Sequence, residues 1–156
     1  MNYYSYSIVF NEIPTEISLA FAITGCGGHC VNCHSPFLHD KNNGVLLTED
    51  IFMSLITKYK NQVSCVLFLG GEWEEERLNY FLKLSRRNGF KTGLYTRLNY
   101  NQVLRKLKYN LTYLKVGEYL EGFGGLDSVI TNQRLFQLKP KKKDITKLFW
   151  PQAKPK

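Results

Sequence analysis

The chain has 156 residues, 44% hydrophobic and 22% charged, with a formal net charge of +8. That fits one globular domain burying about two-thirds of its unfolded surface, and it excludes a low-complexity chain. The charge is uneven: residues 137–156 hold seven Lys and one Asp, a net of +6, leaving +2 for the rest. The folded part therefore gives no electrostatic reason to expect a nucleic-acid partner. The basic end reads as a solvated tail, or else as a docking arm for an acidic partner.

The opening MNYYSYSIVFNEIP lacks a charged start followed by an apolar signal region, and the apolar run ISLAFAI is too short to span a bilayer. No membrane association is expected. Four cysteines without a secretory signal point to a reducing cytoplasm, where clustered thiols bind metal more often than they pair.

In chain order, YSYSIVF alternates as an edge strand does, and ISLAFAI (17–23) reads as a buried strand. TEDIFMSLITKYK reads as a helix capped by Thr48, with Glu49 and Asp50 in its first turn and Ile51, Leu55, Ile56 and Tyr59 on one face. VSCVLFL (63–69) is a second buried strand. EEERLNYFLKLSRRNG is a helix that begins acidic, turns basic and stops at Gly89. FKTGLYT (90–96) is a strand, and NYNQVLRKLKYN is a helix starting at Asn99 or Asn101. TYLKV (112–116) and RLFQL (134–138) are shorter strands.

This alternation predicts an α/β fold with a mostly parallel sheet and right-handed crossovers. At this length an open or partial (β/α) barrel is expected rather than a closed one. The expected organisation is a single domain over 1–138 followed by a basic tail over 139–156.

The loop TGCGGHCVNCHSPF (24–37) places Cys26, Cys30 and Cys33 close together directly after the first buried strand. Cys-x3-Cys-x2-Cys can hold three corners of an iron–sulfur cubane and leave its fourth iron free. Zinc is the alternative, with His29 or His34 completing a tetrahedral three-Cys, one-His site. Cys65 alternates with Val63, Leu67 and Leu69 and reads as a small buried hydrophobe. Gly70, Gly71 and Glu72 directly follow the second buried strand. Both motifs therefore land on the carboxyl edge of the sheet, where ligands gather in open α/β folds.

The cysteine motif followed by GGE resembles the radical S-adenosylmethionine (SAM) enzymes. With FNEIP, CHSPF, FLGGEW, YLKVGEY and GGLDSVITNQR, the chain over most of residues 7–136 is similar to the anaerobic ribonucleoside-triphosphate reductase activating proteins. The resemblance implies a barrel of the radical SAM type, with Cys26, Cys30 and Cys33 holding a 4Fe-4S cluster. It implies SAM contacts from Asn32, His34, Gly70, Gly71, Glu72, Lys115, Val116 and Gly117. The implied partner is the anaerobic ribonucleotide reductase, met at a mouth shaped by Asp127, Asn132, Gln133 and Arg134, together with an unidentified one-electron donor. The implied activity makes a glycyl radical on that reductase. The alternatives are an activase of another glycyl-radical enzyme or a zinc-containing binding module.

Overall fold

A computed structural model describes residues 1–28, 30–33 and 35–150. Eight strands form one sheet: β1 (Asn2–Val9), β2 (Ser18–Ile23), β3 (Val45–Leu46), β4 (Cys65–Leu69), β5 (Lys91–Tyr95), β6 (Tyr113–Val116), β7 (Arg134–Gln137) and β8 (Lys143–Asp144). Their spatial order is β3-β1-β2-β4-β5-β6-β7-β8. Three helices, α1 (Glu49–Tyr59), α2 (Glu75–Arg87) and α3 (Arg105–Asn110), precede β4, β5 and β6.

This corrects the expected fold class. The pairs β2–β4, β4–β5 and β5–β6 are parallel. The pairs β1–β2, β1–β3, β6–β7 and β7–β8 are antiparallel and form the majority. The sheet is mixed and has two ends, β3 and β8, so it is not a barrel, partial or otherwise, of the helix-rich radical SAM type. The reason lies in the connections. Parallel neighbours need a crossover of a dozen or more residues, usually a helix. The links from β1 to β2 and from β7 to β8 are too short for one, and the segment between β6 and β7 carries only a short 3-10 turn, Glu121–Phe123.

Side-chain alternation along the strands sorts the core onto two faces. Leu19, Phe21, Ile23, Val66, Phe68, Leu94 and Leu114 face the helices, meeting Phe52 and Ile56 of α1, Phe81 and Leu82 of α2 and Leu107 of α3. Phe52 sits 5.4 Å from Phe21 and 4.7 Å from Phe81, ring centre to ring centre. Truncating one of these fully buried rings costs about 3–5 kcal/mol. On the other face Ala20, Cys65, Leu67, Tyr113 and Leu135 pack under Ile13 and Ile145. Burial pushes the Cys65 thiol up to about 12, which keeps it protonated and inert.

Thr48 caps α1, its hydroxyl accepting from the Ile51 N–H at 3.2 Å. Helix α3 is shorter than the pattern implies, because Leu104 takes extended backbone angles and only the residues after it are helical. Residues 143–149, read from sequence as tail, return to the sheet: β8 pairs with β7, and Ile145 and Thr146 are buried. No helix among the described residues is long and apolar enough to cross a membrane.

Candidate metal centre

The cysteine loop leaves the sheet at the carboxyl end of β2. Gly25, at φ 90°, turns the chain out, and the N–H groups of Gly25 and Cys26 both donate to the Leu38 carbonyl at 2.8 and 3.0 Å. The loop is thus pinched at its base while its middle bulges. Within it the Cys33 N–H donates to the Cys30 carbonyl at 3.1 Å, and Asn32 sits at φ 55°, a conformation Asn tolerates. The Ser35 N–H points at the Cys33 sulfur at 3.4 Å. All three thiols are free and half-buried. His29 and His34 lie outside the described residues.

Residues that follow β5 and β6 hold this loop. The Cys30 thiol donates to Glu118 Oε1 at 3.3 Å, and Asn32 Nδ2 donates to Glu121 Oε2 at 3.0 Å. Burial and then the Glu118 carboxylate push the Cys30 thiol above its ordinary pKa. Arg97, after β5, lies 3.5 Å from Glu118 and runs beneath Gly28, where an added Cβ would meet its Cδ at 3.0 Å.

The GGE turn follows β4. Gly70 and Gly71 take φ values of 86° and 105°, and a Cβ on Gly70 would come within 2.5 Å of the Trp73 ring. That indole donates to the Thr24 carbonyl at 3.0 Å, so Trp73 ties the two turns together. Glu72 Oε1 accepts from the Thr96 hydroxyl at 2.5 Å, while Oε2 is buried without a hydrogen-bond partner among the described residues. Burial pushes this carboxyl up, and the Thr96 bond only partly offsets it. Lys115, in β6, is 9% exposed and donates to the Gly117 carbonyl at 2.8 Å. Burial pulls its pKa down to about 8. Neither Glu72 nor Lys115 has an ion-pair partner among the described residues.

These groups line a cavity of about 240 Å³ together with Ile23, Leu38, Leu69 and Tyr95. Of the residues singled out from sequence, Cys26, Cys30, Gly70, Glu72, Lys115 and Gln133 reach its wall. Cys33, half-buried, and Asn32, exposed, are not on that wall, Gly71 packs against Met1 and Ile23, and Val116 belongs to the helix-side core. Gly117 takes part through its carbonyl, which also accepts from Gln133 Nε2 at 3.3 Å. Asn132 Nδ2 donates to the Glu118 carbonyl at 2.8 Å, Arg134 pairs with Asp144 at 3.7 Å, and Asp127 is exposed. Trp73, Thr96, Arg97 and Tyr119 were missed. Thr96 and Arg97 end a recognised strand on the same edge, and Trp73 adjoins GGE, so position alone could have found them.

Among the described residues, no group of three or more His, Cys, Asp or Glu side chains converges on one point fit for a single metal ion. A cubane is gripped at separate irons, so its thiolates need not share a point as zinc ligands do. Three unpaired thiols on one loop, with a backbone N–H aimed at one sulfur, fit that donor set. The model of the family described as a 4Fe-4S single cluster domain matches residues 17–118. The chain belongs to that family. The matched span of this 4Fe-4S single cluster domain runs from the start of β2 past the end of β6, and so takes in the cysteine loop, the GGE turn and Lys115. No curated protein and no solved structure matches the chain.

Proposed function

We propose that this single-cluster domain is a radical SAM activase, which cleaves SAM reductively and generates a glycyl radical on anaerobic ribonucleotide reductase. The observation that carries the reading is two buried charges on one cavity wall that form no ion pair among the described residues: the Glu72 carboxylate, whose Oε2 has no hydrogen-bond donor there, and the Lys115 ammonium. Buried charges without partners are costly, and they persist where a ligand completes them. An α-amino acid carries both complements, an ammonium for Glu72 and a carboxylate for Lys115.

Cys26, Cys30 and Cys33 would hold the 4Fe-4S cluster. When bound, the cluster supplies the single electron that splits the sulfonium of SAM. The protein binds, orients and excludes water. Thr96 holds one Glu72 oxygen and leaves the other for the ligand. The apolar wall of Ile23, Leu38 and Leu69 would limit solvent at the reacting carbon. No general base is required, because a hydrogen atom rather than a proton leaves the target glycine.

The test mixes the reconstituted, reduced protein with SAM and anaerobic ribonucleotide reductase, and records electron paramagnetic resonance. A glycyl-radical doublet on the reductase, absent without SAM, supports the reading. No doublet despite a full cluster and methionine release assigns the chemistry to another client.

A further inference from the structure

The amino end of the sheet, a sheet's length from the cysteine loop, carries an unbalanced positive surface. Arg86 lies in the last turn of α2, Lys108 lies in the last turn of α3, and Lys139, Lys141, Lys142 and Lys143 come from the β7–β8 hairpin. None of the six forms an ion pair with a carboxylate among the described residues. Helix C-termini attract cations, which accounts for Arg86 and Lys108. It does not account for Lys139 and Lys142 of the hairpin, which share the Tyr109 and Tyr100 rings with them. Burial and then the nearby Arg86 charge lower the Lys139 pKa, so this crowding opposes its own charge.

Rings hold the cations in place. Arg86 and Lys139 stand 5.8 and 5.2 Å from the centre of the Tyr109 ring, and both donate to the Tyr109 carbonyl. Lys108 and Lys142 stand 4.4 and 3.6 Å from the centre of the Tyr100 ring, with Lys142 also 4.9 Å from that of Phe136. Lys141, Lys142 and Lys143 lie together at the hairpin, and Lys142 and Lys139 carry the patch to the Tyr100 and Tyr109 rings, the latter 74% exposed.

We propose that this patch docks an acidic, extended segment of a partner protein. Charge complementarity gives the sign of the partner. The rings decide its class, because single-stranded nucleic acid binds through bases stacked on free aromatic faces, and here cations already stand over the rings. β8 adds a second reason. It is the last strand of the sheet, and its outer edge has no neighbour among the described residues. An extended peptide can use that edge's backbone groups, which a nucleic acid cannot. The inference stands independently of the cavity chemistry.

The test uses the full, anaerobically reconstituted chain and a fluorescein-labelled peptide of alternating glutamate and valine, read by fluorescence anisotropy. Saturable binding that weakens with salt is expected. Lys141→Glu with Lys142→Glu should weaken it at least about tenfold, two lost pairs and two new repulsions. Tyr109→Ala should weaken it severalfold with the melting temperature unchanged, because the ring is exposed and only steers Arg86 and Lys139. No binding, or binding indifferent to the double charge reversal, overturns the proposal. So does a single-stranded DNA of equal charge that binds about tenfold tighter than the peptide.

Discussion

Glu16 and Glu72 are two glutamates at opposite ends of one sheet, and the contrast between them separates a carboxylate that holds the fold from one left half-bonded at the cavity wall. Glu16, 5% exposed at the amino end, accepts from Ser64 Oγ at 2.5 Å, Lys91 Nζ at 2.5 Å and the Tyr113 hydroxyl at 2.6 Å. Burial pushes its carboxyl up, but those three donors outweigh it and leave the pKa below the ordinary value. Glu72, at the carboxyl end, has a side-chain donor on one oxygen and, among the described residues, none on the other, and its pKa is raised. A saturated carboxylate stitches β2, β4, β5 and β6 together where the chain needs rigidity. A half-saturated one stores a cost that binding can recover.

Substitution should separate the two ends, and Lys115 should give the largest effect on stability. Holding its ammonium in the sheet costs on the order of 3 kcal/mol below about pH 8. Lys115→Met should therefore raise stability by about 1–3 kcal/mol in urea unfolding of SAM-free protein, while weakening SAM binding. A loss of stability would place the ammonium in a satisfied site and break the contrast. Glu16→Gln should lower stability by about 1–3 kcal/mol, at the lower end because Lys91 is half exposed. Glu72→Gln should leave stability unchanged or higher, yet weaken SAM binding by about 1.5–3 kcal/mol in calorimetry.

The pH dependence carries opposite signs. Glu16, with a depressed folded pKa, adds stability that is present above the ordinary carboxylate value of 4.5 and lost as pH falls through its folded value. Glu72, with a raised folded pKa, costs stability above that value, and the cost is relieved as pH falls toward 4.5. The Glu72→Gln chain should thus lose less relative stability at neutral pH than at acid pH, and the Glu16→Gln chain more. Lys115 adds a third signature: stability recovered as pH rises from about 8 to 10.5.

The strands were readable because ISLAFAI and VSCVLFL are branched, apolar and bounded by polar turns, and the helix cap at Thr48 is written locally. The pairing direction of the outer strands was not readable. It depends on whether a connection carries a helix, and the segment between β6 and β7 is long enough for one but forms turns instead. Residues 143–149 look like tail because the run of lysines before them hides Ile145 and Thr146, which supply the buried contacts. In the site, the cysteines and GGE stand out as contiguous motifs. Arg97 beneath Gly28, and Glu118 against Cys30, join residues 69 and 88 positions apart, which only the folded sheet brings together.

The most direct measurement quantifies 5′-deoxyadenosine after the anaerobically reconstituted, reduced protein meets SAM, in the native chain, Cys30→Ala and Cys65→Ala. The account predicts product from the native chain and from Cys65→Ala, and none from Cys30→Ala, which should also lose cluster absorbance. Product that survives Cys30→Ala, or a chain that refuses iron and holds one tight zinc, would contradict it.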